Sequence, residues 1–172
     1  MKKLRTILFA ITCTLVIALT TLLPVIATDD AFDLGKNLYS TNYIFLDADT
    51  GQVLSAKKQD EQISIASLTK MMTVLLAIEN SASLNQTVTI TNEMIDGLYE
   101  EQASVAGYVN GDTATVLDLC YAAAIPSAAD AANALAIQIG GSFENFYQMM
   151  NDKATQLGMD HTVFKSAHGL DR

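Results

Sequence analysis

Apolar residues run almost unbroken from Ile7 to Ile26, behind a basic start at Lys2, Lys3 and Arg5. Closed by Val25-Ile26-Ala27, residues 1–27 read as a secretory signal peptide cut after Ala27. The length of the run makes an uncleaved membrane anchor the rival reading. Thr12, Thr14, Thr20, Thr21 and Pro24 count against that anchor. Cys13 lacks the small-residue context of a lipidated cysteine. Residues 28–40 form an acidic, polar lead-in. After them the pattern becomes that of a folded domain, residues 41–172. Tyr43-Ile44-Phe45-Leu46 and Gln52-Val53-Leu54-Ser55-Ala56 are β-rich runs on either side of Asp49-Thr50-Gly51, which predicts a hairpin. Leu68, Met71, Met72, Leu75 and Leu76 recur at i, i+3, i+4, i+7 and i+8. They predict a helix with a buried stripe, ending near Glu79 and Asn80.

Thr87-Val88-Thr89-Ile90 predicts a brief extended piece, and Thr91 to Gly97 one or two helical turns. Ser104 to Val109 is loop-like, and Asn110-Gly111-Asp112 is a turn. Thr115 with Asp118 forms a capping-box pattern ahead of Val116, Leu119, Cys120 and Ala123, and Pro126 stops that helix. Ser127 with Asp130 repeats the pattern and opens an alanine-rich helix that Gly140-Gly141 ends. Ser142 opens another, with Phe143, Phe146, Tyr147, Met150, Ala154 and Leu157 on its apolar face and Gly158 as its stop. Thr162-Val163-Phe164 is read as extended. A hairpin followed by a helical block leaves the hairpin short of partners, since two strands alone are marginal in water and exposed edges need cover. The chain therefore reads as part of a larger domain.

With 172 residues the sequence has room for one domain. Cleavage after Ala27 removes three basic residues and leaves all 19 acidic ones, giving 145 residues with a net charge of −12. No basic patch offsets that charge, which argues against nucleic-acid binding. One cysteine, Cys120, remains after cleavage. It excludes an intrachain disulfide and reads as a small buried residue.

Ser67 and Lys70 stand three apart, so a helix would put hydroxyl and amine on one side. A serine hydroxyl is a weak nucleophile that needs a base. A lysine serves when burial or nearby charge lowers its pKa. Near a helix N-terminus, free backbone N–H groups can also stabilise an oxyanion. By spacing alone a capping serine followed by an exposed lysine is the stronger reading. His161 and His168 lack ligand partners at zinc spacing, so no zinc site is expected. Met149, Met150 and Met159 read as core filler. Asp29, Asp30 and Asp33 read as a solvated tail rather than a calcium loop. Glu93, Asp96, Glu100 and Glu101 read as a solvated face.

Context changes the weighting. The strand pair around Asp49-Thr50-Gly51, then Ala66-Ser67-Leu68-Thr69-Lys70-Met71-Met72, Asn110-Gly111-Asp112, Thr115-Val116-Leu117-Asp118-Leu119, Pro126-Ser127, Asp130-Ala131-Ala132-Asn133-Ala134-Leu135-Ala136 and His168-Gly169-Leu170-Asp171 follow one another in order. As an ensemble they resemble the serine D-alanyl-D-alanine carboxypeptidases, penicillin-binding proteins of the S11 peptidase family. The resemblance implies an α/β fold of the penicillin-binding, serine β-lactamase type, an antiparallel sheet packed with helices plus a helical block, here lacking its later strands. It implies Ser67 as acyl-enzyme nucleophile, Lys70 as its base and Ser127 as proton relay. The implied reaction removes the terminal D-alanine from peptidoglycan stem pentapeptides on the outer side of the cytoplasmic membrane, with membrane proximity. β-Lactam antibiotics would be acylating inhibitors, and no metal or organic cofactor is implied.

Two departures qualify these implications. Ala129 stands where the family's second motif has asparagine, and Asn133 lies a helical turn further on. No Lys-Thr-Gly triplet, the family's third motif, follows Ser127. From this we expect weak folding and little turnover. A serine β-lactamase, or an inactive remnant or non-catalytic wall-binding module, are the alternatives.

Overall fold

The computed structural model describes residues 38–170. The segment read from the sequence as a signal peptide (with Cys13), most of the acidic lead-in and Asp171 lie outside the described residues. The chain divides into two compact units, residues 1–61 and 62–172.

In the first unit, β1 (Tyr43–Leu46) pairs antiparallel with β2 (Val53–Lys57), matching Tyr43 with Lys57 and Ile44 with Ala56. The hub of the turn is Asp47, two positions ahead of the predicted triplet. Its Oδ1 accepts from Thr50 N at 2.8 Å and from Thr50 Oγ1 at 2.7 Å. These bonds hold the Asp47 carboxyl below the usual aspartate range, the side-chain bond from Thr50 most of all.

The second unit begins with a 3₁₀ turn at Ala66–Leu68 that runs into α1 (Thr69–Asn80). Next come β3 (Thr87–Thr89), α2 (Asn92–Ile95), β4 (Thr113–Thr115), α3 (Val116–Ala124), α4 (Ala129–Gly140) and α5 (Phe143–Gln156). β3 and β4 pair antiparallel, with Val88 opposite Ala114. α4 is the hub, packed against α1, α2, α3 and α5. Every residue from Ala129 to Ala136 is buried, so α4 has no solvent face in its first two turns. Five alanines among them let the neighbouring backbones come close. Gly140 extends this: a Cβ there would lie 2.7 Å from Phe146 Cβ and 2.8 Å from Phe146 N. Phe146, Met150 and Ala154 of α5, Leu119 and Ala123 of α3, and Leu76 and Ala77 of α1 complete the core.

Local chemistry explains three of the helix ends. Thr115 Oγ1 accepts from Asp118 N at 3.1 Å, and Asp118 Oδ2 accepts from Thr115 N at 3.1 Å, closing the predicted capping box. Ser142 Oγ accepts from Asn145 N at 3.2 Å and caps α5. α4 ends at Gly141, whose φ of +74° is the left-handed conformation a helix stop requires.

The structure corrects several expectations. The predicted stripe on α1 is only half buried: Met72 and Leu76 are in the core, while Leu68 and Met71 are exposed. The covered face is Thr69, Lys70, Met72, Thr73, Leu76 and Ala77, rotated from the predicted one and partly polar. Ser127 does not cap α4; the cap position is Ala128, without a side-chain bond. Asp130 turns away from Ser127 because the loop at 106–108 offers its carboxylate three backbone N–H groups. Leu157, beyond the end of α5, is exposed. Thr162 to Phe164 form no strand. Cys120 is buried as expected, and burial pushes its thiol pKa up.

Candidate active site

Ser67 sits in the middle of the 3₁₀ turn, its side chain open to solvent. Ala66 before it has φ +46°, a left-handed conformation rare for a residue with a Cβ. Backbone strain of that kind persists only where the surroundings impose it. Lys70 lies in the first turn of α1 and is 5% exposed. Its Nζ is 3.2 Å from Ser67 Oγ and donates to His168 O at 2.8 Å. Desolvation by burial lowers the Lys70 pKa below 10.5, because loss of water disfavours the charged ammonium. A neutral amine here would still donate one hydrogen to His168 O and keep its lone pair for the Ser67 hydroxyl.

Ser127 lies on the α3–α4 connection, half-buried, with φ +61°. Backbone bonds fix that connection on its far side: Ala128 N donates to Ala122 O at 3.0 Å and Ala129 N to Ser104 O at 2.7 Å. Ser67, Lys70 and Ser127 line one cleft of about 700 Å³, whose walls include Leu68, Met71 and Ala124. Thus the three sequence-predicted residues come together, and two of the loops that present them carry left-handed non-glycine residues. Ala129 is buried and does not line this cleft. Asn133 is also turned inward: its Nδ2 donates to Met94 O at 3.1 Å, and its buried Oδ1 finds no partner among the described residues.

Two contributions are not readable from the sequence, although His168-Gly169 and Asp130 belong to motifs singled out there. The Ser166–Gly169 segment is buried against α1 and supplies the acceptor for Lys70 through a main-chain carbonyl. Asp130 anchors the 106–108 loop beside the start of α4. The pairing of Ser127 with Asp130 pointed to a cap, and only the distant loop reveals the other role. Gln62 Nε2 donates to the His161 main-chain carbonyl at 3.2 Å, and Leu170 N donates to His168 Nδ1 at 3.2 Å. Among the described residues no three metal-ligating side chains gather. None of their helices is long and apolar enough to cross a membrane.

Comparison with known proteins adds to this geometry. The family profile described as "D-alanyl-D-alanine carboxypeptidase" (Peptidase S11) matches residues 28–172. The D-alanyl-D-alanine carboxypeptidase DacF of Bacillus subtilis is 36% identical over 131 residues, covering 74% of this chain and 33% of the relative. DacC of Escherichia coli, a carboxypeptidase of the same description, is 34% identical over 140 residues, covering 75% and 34%. The chain thus spans about a third of the length of these relatives. Among solved structures, the Streptomyces K15 DD-transpeptidase superposes with a TM-score of 0.71 at 34% identity, covering 76% of this chain and 52% of that one. Penicillin-binding protein 6B from Escherichia coli gives 0.70 at 32%, covering 76% and 43%. The fold class is therefore the expected α/β, penicillin-binding type.

Proposed function

This chain belongs to the S11 family of D-alanyl-D-alanine carboxypeptidases, and on that premise we propose that it carries serine D-Ala-D-Ala carboxypeptidase chemistry, with Ser67 as nucleophile. The substrate is a peptidoglycan stem peptide ending in D-Ala-D-Ala, met outside the cytoplasmic membrane after export through residues 1–27. Neutral Lys70 accepts the Ser67 proton as Oγ attacks the carbonyl between the two D-alanines. The tetrahedral intermediate collapses, the C–N bond breaks, and the proton passes by way of Lys70 and Ser127 to the departing amine of D-alanine. Water then attacks the ester, restoring Ser67 and releasing the shortened peptide. β-Lactams enter the same cycle and stop at the ester.

The observation that carries this reading is the buried Lys70 Nζ at 3.2 Å from Ser67 Oγ, in one cleft with Ser127. The test is intact-mass analysis after incubation with benzylpenicillin. One penicilloyl group should appear on Ser67 and be absent from Ser67→Ala, and Lys70→Ala should slow its appearance by roughly 100-fold or more. With Ala129 at the second-motif asparagine position, acylation is expected to be slow. A folded chain that stays unlabelled for a day, or is labelled elsewhere, sinks the proposal. A stable label favours the carboxypeptidase, while rapid release of hydrolysed penicillin favours a β-lactamase.

The inward-turned Ala129 favours a second reading, a non-catalytic wall-binding module. That reading expects peptidoglycan sedimentation unchanged by Ser67→Ala, with no D-alanine released by either protein.

A further inference from the structure

The Ser166–Gly169 segment is tied to α1 at two points and closed on itself by a third bond. Thr73 Oγ1 donates to Ala167 O at 2.7 Å, and Lys70 Nζ to His168 O at 2.8 Å. Gly169 N donates to Ser166 Oγ at 2.8 Å, closing a tight turn. All four residues of the segment are buried. Gly169 has φ +81°, and a Cβ at this position would lie 1.9 Å from Ala66 O, 2.5 Å from Ala66 C and 2.8 Å from Thr69 Oγ1. Two of those atoms are main chain and cannot rotate away. Ala66 O belongs to the peptide unit that carries the Ser67 N–H, and Ala66 is held at φ +46°. One face of that peptide is therefore packed on Gly169, and the next carbonyl back along the same segment holds the lysine amine.

We propose that Gly169 is a positioning residue: its bare Cα seats the Ala66–Ser67 peptide while the preceding His168 carbonyl aims Lys70 Nζ at Ser67 Oγ. The segment acts through Ser67 and Lys70, so its catalytic consequence rests on the reading above, but its structural consequence does not. A side chain at Gly169 must displace either the Ser67 peptide or the segment holding Lys70. The cleft walls at Leu68, Met71 and Ala124 are untouched, so the chemical step suffers and non-covalent binding does not.

The experiment compares Gly169→Ala with Gly158→Ala in the full chain. Gly158 also has a left-handed φ, +74°, but nothing lies within 4 Å of its added Cβ. It reports the cost of backbone strain alone. Two readouts are taken: the acylation of Ser67 by a fluorescent penicillin, resolved into binding and chemical steps, and the titration of Lys70 by NMR with 13C-labelled lysine. Gly169→Ala should lower the chemical rate constant roughly 100-fold, as misplacement of a reacting group does, with the binding constant unchanged. Its Lys70 midpoint should rise toward the ordinary lysine value as water reaches Nζ. Gly158→Ala should change neither readout. If Gly169→Ala does not fold, Ser166→Ala, which removes only the acceptor for Gly169 N, takes its place with the same directions expected.

Gly169→Ala, or its substitute, matching Gly158→Ala in both readouts overturns the proposal. Should the unaltered chain fail to acylate while the Lys70 midpoint still responds to Gly169→Ala and not to Gly158→Ala, the carboxypeptidase reading falls and the positioning role stands.

Discussion

Replacing Asp130 by asparagine keeps the shape of a buried side chain and removes one acceptor oxygen. Asp130 Oδ1 accepts from Ala106 N and Ala131 N, both at 2.9 Å, and Oδ2 from Gly107 N at 3.0 Å and Tyr108 N at 3.1 Å. Whichever way the new amide is turned, two of these four N–H groups face an NH₂ that cannot accept. A hydrogen bond to a charged group contributes about 1.5–3 kcal/mol net, so two lost bonds amount to roughly 3–6 kcal/mol. The three loop donors are only part-buried, and water recovers some of the difference. About 3 kcal/mol is the expected loss, a large share of the roughly 5–15 kcal/mol that holds a domain folded. Urea unfolding at pH 7 should show a lower midpoint with an unchanged slope. Amide exchange at Ala106, Gly107 and Tyr108 should quicken well before that of Phe146 in the core. A loss below about 1 kcal/mol, or exchange at the three loop amides unaltered, refutes the anchoring role given to Asp130.

Lys70 gives a pH test. Its folded pKa is lowered by burial, so between that value and 10.5 the unfolded chain binds more protons than the folded one. Stability relative to Lys70→Met should therefore rise with pH across that window; a flat or falling difference in urea midpoints contradicts the desolvated amine. Gly140→Ala should destabilise by about 1–3 kcal/mol, because its Cβ would meet Phe146 N at 2.8 Å and Cα at 2.9 Å, main-chain atoms that cannot step aside. A melting midpoint at or above that of the unaltered chain would contradict this. Thr73→Val keeps the volume but strands the Ala167 carbonyl, and should cost about 1–3 kcal/mol. Equal stability in urea would show that Ala167 is held by other means.

The features legible in the sequence are local ones. The hairpin follows from two β-rich runs and a turn, and the α3 cap from Thr115 and Asp118. Ser127 and Asp130 present the same cap pattern with a different outcome. There a loop more than twenty residues upstream competes for the carboxylate, and no local rule weighs that competition. Periodicity identified α1 as a helix but could not say which side would be covered. Packing on α4 and against the Ser166–Gly169 segment chose a face bearing Thr69, Lys70 and Thr73, leaving Leu68 and Met71 outside. The pairing of β3 with β4 escaped for a related reason: each strand has three residues, and their partners are far apart in the chain. The hold on Lys70 was illegible because its acceptor is a backbone carbonyl, which every residue possesses. Ser67, Lys70 and Ser127 were legible through their order among the resembling motifs, and the structure brings them to one cleft.

The first two turns of α4 also bear on how this sequence can drift. A helix enclosed on every side by close neighbours has no position where a longer side chain can lean out into water. From Ala129 to Ala136, an added methylene must push a neighbouring helix, and the push reaches α1, α3 and α5 together because all three rest on α4. Single exchanges of alanine for larger residues should therefore be rare among functional variants. Those that survive should come with a compensating reduction on the facing helix. The exposed side of α5 is free of this constraint, and it is the better place for a reporter group or an affinity tag.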